Sequence, residues 1–241
     1  MTTLLGKTGR ESYVAGSGLA SGVGRRGRPS KGAAEATSKR ILDVAAAKFA
    51  AQGFAGTSVE KVASECGVGK DTLYRRFPSK LALFDAVVEH LRSQTLERLD
   101  SEIAEAAAIG DAMTRLKRLA RWFLTINLDP EMVAFKRIAL SEAIVFGAQR
   151  SDPEQGDPIF DRLVAHVGEA QKTGALRAED PAFLAGHLLN CIVFGPSNDA
   201  MLGRSTYAAR AAQDAYFDRA WVLFVEGAAR REEGPRGGED Q

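Results

Sequence analysis

The chain has 241 residues, 45% hydrophobic and 26% charged, with 32 Lys and Arg against 31 Asp and Glu, enough apolar content for one large packed domain or two smaller ones. The longest uncharged run, between Asp180 and Asp199, holds Gly186, His187, Asn190, Gly195 and Pro196 and suits a buried helix better than a bilayer span. The near-neutral total conceals a division: residues 1–80 hold 14 basic against 6 acidic residues, a net of +8, and residues 81–241 hold 18 against 25, a net of −7. The basic end is where a polyanion would bind.

In chain order, residues 1–34 are rich in Gly, Ser and Arg without helical period and are expected to form a disordered arm. Arg25, Arg26, Arg28 and Lys31 are spaced there by glycine and proline, a slim cationic strand suited either to a minor groove or to a flexible leader. The N-terminus lacks the apolar segment of a secretory signal, so a cytoplasmic location is expected. Ile41, Leu42, Ala45, Ala46 and Phe49 recur at helical spacing, and Gly53 supplies a stop.

Thr57 to Lys80, TSVEKVASECGVGKDTLYRRFPSK, reads as two short helices across a turn at Cys66-Gly67-Val68. Thr57 is the expected N-cap of the first, with Glu60 completing a capping box. Leu73 and Phe77 share an inward face onto Val59, Val62 and Ala63. Asp71 and Arg75 then point outward, flanked by Thr72, Tyr74 and Arg76. Arginine can fork onto guanine, threonine can meet a thymine methyl, and a short helix fits the major groove, so residues 35–80 predict a helix-turn-helix DNA-binding domain.

Ser79 caps a long helix that runs to about Ala107. Beyond it the pattern stays helical, and Asp129-Pro130, Asp152-Pro153, Asp157-Pro158 and Asp180-Pro181 each offer an N-cap followed by proline at the first helical position. Helices are expected at about 111–128, 131–147, 158–173, 181–202 and 206–230, with a disordered tail over 231–241. The predicted fold class is all-α: a helix-turn-helix head and a larger helical domain over 81–230. The last helix carries two apolar stripes and 181–202 is apolar nearly all round, so one face needs a second copy, giving a four-helix dimer interface.

The string T-S-V-E-K-V-A, G-V, T-L-Y-R-R-F-P-S-K and L-A-L-F over about residues 37–90 resembles the tetracycline-repressor (TetR) family of bacterial regulators. Thr57, Thr72, Tyr74 and Lys80 match its pattern directly, while Asp71, Arg75 and Arg76 depart from it. The expected division of labour has Thr57, Tyr74 and Lys80 on phosphates, and Lys70, Asp71, Thr72, Arg75 and Arg76 reading bases.

The resemblance also implies a homodimer on a palindromic operator, repression, and a small-molecule effector in the C-terminal domain. Candidate walls for that effector are Trp122, Phe123, Ile126, Phe135, Ile138, Phe146 and Phe160, with His166, His187, Asn190 and Asn198 as polar groups, which suits an apolar or amphipathic ligand. No cofactor or metal is expected: Cys66 and Cys191 lack metal-ligand spacing, and His90, His166 and His187 lie apart without a motif. An architectural DNA-coating protein and an all-α enzyme are the rival classes; the first has no use for the extra helical domain, and the second lacks converging acid, base or nucleophile.

Overall fold

A computed structural model describes residues 31–108, 110–146 and 156–228; side chains 31, 142–146 and 228 are outside the description. Arg25, Arg26, Arg28, the Asp152-Pro153 pair, the Phe146 side chain and the expected tail therefore lie outside the described residues. The described chain is helical throughout, without a strand.

The first helix, α1 (Lys31–Gly56), begins inside the stretch assigned to the arm: the alanine-rich run after Lys31 favours helix, and Thr37 Oγ1 donates to the Ala33 carbonyl at 2.8 Å. Gly53 breaks its geometry near the end at φ 72°. Next come α2 (Val59–Glu65) and α3 (Lys70–Arg76), joined through Gly67 at φ 63°. Ile41, Phe49, Val59, Val62, Leu73, Phe77 and Phe84 bury one head core. Phe84 meets Phe49 edge-on at 5.1 Å between ring centroids.

The long α4 (Lys80–Ala106) starts at Ser79, whose hydroxyl accepts from the Ala82 amide at 3.0 Å. Its first half carries Leu83, Phe84 and Val87 into the head core, and Leu99 in its second half belongs to the body core. The body consists of α5 (Ala112–Asn127), α6 (Pro130–Phe146), α7 (Pro158–Lys172), α8 (Pro181–Leu189), a π-helical turn (Asn190–Phe194), α9 (Gly195–Met201) and α10 (Arg210–Ala228). The Asp-Pro signals act as expected at α7 and α8: Asp157 accepts from the Ile159 amide at 3.0 Å and Asp180 from the Phe183 amide at 3.0 Å.

The 181–202 segment is thus one helical rod with a π turn just before Pro196. Tyr216 of α10 donates its hydroxyl to the Cys191 carbonyl within that turn at 2.6 Å, supplying a partner where the helical ladder is disturbed. On α8 and α10, Leu184, Leu188, Phe217 and Phe224 face the body core. Phe183 (63% exposed), Phe194 (43%), Val222 (50%) and Leu223 (71%) stay uncovered. No described helix is long and apolar enough to cross a membrane.

Candidate nucleic-acid interface

Docking of α3 across α2 leaves Lys70, Asp71, Thr72, Arg75 and Arg76 exposed and Tyr74 half-buried, while Leu73 is fully buried. At seven residues α3 is roughly 10 Å long, which fits a major groove. Arg40 of α1 donates to the Cys66 carbonyl at the end of α2, and Lys48 pairs with Glu65, so two α1 cations fix α2. Burial pushes the Cys66 thiol pKa up, as suits an unreactive structural cysteine.

Glu60 organises the groove-facing surface. Its carboxylate pairs with Lys70 at 2.8 Å and accepts from the Tyr74 hydroxyl at 3.3 Å and the Ser58 hydroxyl at 3.0 Å. Lys70 is the main reason its pKa falls to about 2, and the same contact raises that of Lys70. Lys70 also lies 5.6 Å from the Tyr74 ring centroid. Asp71 and Arg75 extend past this cluster into solvent, and Arg76 Nη1 donates to the Ala34 carbonyl at 3.3 Å.

Two expectations for this surface need correction. The α2 N-cap is Ser58, whose Oγ accepts from the Lys61 amide at 3.2 Å. Thr57 is only 3% exposed and donates its hydroxyl to the carbonyls of Gly53 (2.7 Å) and Lys48 (3.2 Å). It turns inward onto these two α1 carbonyls beside the Gly53 kink, so its side chain is not presented to a phosphate. Lys80, another expected phosphate holder, donates to the carbonyls of Ala55 and Thr57, each at 3.1 Å, and sits 4.8 Å from the Phe54 ring centroid. It ties the α1–α2 corner to α4, with one ammonium donor left over.

The expected effector walls separate. Phe123 is buried in the body core, and Trp122 and Phe160 pack half-buried against it. Phe135 and Ile138 belong to the head core instead, Phe135 stacking on Phe84 at 5.7 Å. His166 Nδ1 lies 2.8 Å from the Arg162 carbonyl of its own helix. Asn190 and His187 are exposed on the outer side of the α8 rod. Asn190 bonds the Gly186 carbonyl at 3.0 Å, and His187 stacks parallel to Phe183. Neither is an interior ligand contact within one chain.

A cavity of about 540 Å³ lies between head and body, bordered by α1, α4 and the α5–α6 corner; of the expected wall residues Ile126 and Phe135 line it. A second, of about 500 Å³, lies at the foot of the body beside Leu128, Val133, Pro196 and Tyr207. Near it Lys136, half-buried, bonds the Asn127 side chain and lies 3.4 Å from Ser197 Oγ, and desolvation lowers its pKa.

Ser58 and Lys136 carried no expected role, and Glu60, expected as the capping-box partner of Thr57, instead pairs with Lys70 and Tyr74 because the N-cap falls one residue later, at Ser58. Glu60 and Lys70 are ten positions apart on different helices, so no helical spacing connects them; only the packing of α2 on α3 does. A lysine amid apolar residues, Phe135-Lys136-Arg137-Ile138, was the one available signal for Lys136.

A short exposed helix fixed across a second, on a basic head with a helical body behind it, defines a helix-turn-helix DNA-binding regulator. Residues 41–87 match the family described as bacterial regulatory proteins, tetR family, and residues 114–226 match the AefR-like transcriptional repressor C-terminal domain. The chain belongs to the TetR family of transcriptional regulators.

Among curated proteins it is similar to the nucleoid occlusion factor SlmA of Shewanella frigidimarina, 26% identical over 171 residues, 69% of this chain and 81% of that protein. Among solved structures it is similar to a TetR-family regulator of Mesorhizobium loti, with TM-score 0.69, 23% identity, and 81% of this chain and 98% of that one covered. It also resembles the flavonoid-responsive regulator FrrA, with TM-score 0.59, 25% identity, and 82% and 100% covered.

Proposed function

We propose that this protein is a cytoplasmic, ligand-responsive repressor that binds a palindromic operator as a homodimer. The observation that carries the reading is the joint exposure of a cation-bearing α3 face and of an uncovered apolar face on α8 and α10. The first suits a major groove, and the second suits a second copy of the chain, which sets two α3 helices on two half-sites. Lys70, Asp71, Thr72, Arg75 and Arg76 read bases; Tyr74 and the spare donor of Lys80 hold phosphates, and the Arg25–Arg28 stretch follows the neighbouring minor groove. The likeness to a flavonoid-responsive regulator and the two cavities support a small-molecule effector.

The likeness to nucleoid occlusion factors favours a second reading, a DNA-bound protein that acts without an effector. Selection of duplexes bound by the purified full chain separates the two. Repression from an operator requires one dominant inverted repeat, whose affinity falls steeply with salt and falls further when an effector is present. Recovery of unrelated sequences with equal affinity overturns the operator reading.

A further inference from the structure

On the outer side of the α8 rod, Cys191 Sγ lies 3.4 Å from His187 Nε2. In a tetrahedral zinc site, with Zn–S of about 2.3 Å and Zn–N of about 2.0–2.1 Å, the edge from sulfur to nitrogen is about 3.5 Å. One chain therefore already holds a thiol and an imidazole at the separation of two ligands on one metal, bridged by a thiol proton that a divalent cation would replace. Both are held in place. The His187 ring stacks parallel to Phe183 and leans on Phe224 of α10, each at 6.3 Å between centroids. Cys191 belongs to the π turn, where the Tyr216 hydroxyl fixes its carbonyl at 2.6 Å. Supports of this kind orient ligands before a metal arrives.

Two ligands do not close a structural zinc site, and among the described residues no third His, Cys, Asp or Glu of the same chain joins them. A second copy of the chain supplies the rest. His187 follows Phe183 by four positions and Cys191 precedes Phe194 by three, so the pair falls midway along the uncovered stripe of the rod. The contact of His187 with Phe224 sets it on the flank toward α10, whose Val222 and Leu223 complete the uncovered face. An isologous two-fold interface brings the middle of its patch against the middle of the same patch on the other copy. His187 and Cys191 then meet their own copies, and two thiolates and two imidazoles surround the axis.

We propose that the dimer carries a structural zinc site on its two-fold axis, made by His187 and Cys191 of each copy. It rests on the homodimer reading above, and it revises, for this one pair, the expectation that no metal is bound. Thiolate and imidazole together select zinc over magnesium or calcium, which take oxygen ligands. With all four positions filled by side chains, none stays open for chemistry, so the ion ties two subunits together and does not act as a catalyst. The apolar face associates without it; the ion adds to that association, because only the dimer offers the full ligand set.

The test uses the full chain under reductant, with cobalt(II) as a spectroscopic probe and zinc as its competitor. Expected are one cobalt per two chains, a thiolate-to-cobalt charge-transfer band, the intense visible bands of tetrahedral cobalt, and loss of all of them on adding zinc. By sedimentation, zinc is expected to tighten self-association by about tenfold or more, as mass action requires of an ion that binds only the dimer. Cys191→Ser is expected to abolish the charge-transfer band and His187→Gln the tetrahedral bands, each removing the effect of zinc on association; Cys66→Ala is expected to keep all three. Should one of the two ligand variants fold poorly, as its melting temperature would reveal, the other carries the comparison. Absence of the thiolate band, its survival in Cys191→Ser, one cobalt per chain, or a dimer indifferent to zinc overturns the site while leaving the homodimer reading intact. A chain that stays monomeric with and without zinc overturns both.

Discussion

Glu60 is the residue at which charge and geometry of the DNA-facing surface meet. It occupies Lys70 and Tyr74 in the absence of DNA and places a carboxylate beside an incoming polyanion. Glu60→Gln is therefore expected to raise affinity for all duplexes, because it removes a carboxylate that repels the phosphates and loosens its hold on Tyr74, a phosphate holder. Specific and random duplexes titrated at several salt concentrations check this; unchanged affinity for both contradicts it. Arg75→Ala or Arg76→Ala is expected to cost about 1–3 kcal/mol at particular base pairs, measured with single-substitution operator variants. Lys136 provides a pH test. Its folded pKa lies below the ordinary 10.5, so the unfolded chain binds more protons between those two values, and stability rises with pH across that window. Lys136→Met removes this rise, which melting curves of variant and parent between neutral and alkaline pH compare directly. The surface carbonyls and carboxylates that tie down Lys80 and Lys70 were not legible in the sequence, because both partners come from other elements.

At the scale of elements, most helices follow from period and punctuation. Gly53, Ser79, Asp157 and Asp180 mark boundaries by local chemistry alone. What failed was the assignment of faces. The α6 helix has apolar residues on more than one side: Val133 borders body elements, as does the polar Lys136, while Phe135 and Ile138 turn to the head. Periodicity states that such a helix is buried, not which neighbour covers each side. Hence Phe135 was expected in an effector wall and instead stacks on Phe84. The α8 rod poses the same ambiguity, and there His187 and Asn190 fell on the outer side. The position of α6 also means that α4 is not the sole connection of head to body. Phe135→Ala is expected to destabilise the fold by about 3–5 kcal/mol, the range for deleting a buried aromatic ring, and to weaken any effector response more than operator binding itself. Denaturant unfolding together with effector-dependent anisotropy measures both effects.

For the whole molecule, the uncovered Phe183, Phe194, Val222 and Leu223 mark a face continuous across α8 and α10, with His187 lying between Phe183 and Phe224. A stable interface buries about 800 Å² per partner, and a two-helix face can supply it. Leu223→Glu placed at its exposed apolar surface is expected to yield monomers by sedimentation and to weaken operator binding steeply, since each head alone grips a single half-site. The central claim, that two copies present two α3 helices to one operator, is tested most directly by the distance between them. A spin label at Gly69→Cys, in a chain with Cys66→Ala and Cys191→Ser, sits at the exposed start of α3, where an added side chain meets only Thr72 at 3.8 Å. On the selected duplex a single narrow inter-label distance is expected near 34–36 Å, or near a multiple of it, corresponding to half-sites on one face of the helix. Absence of any inter-label distance on bound DNA, or a broad distribution unchanged by the operator, would contradict the account.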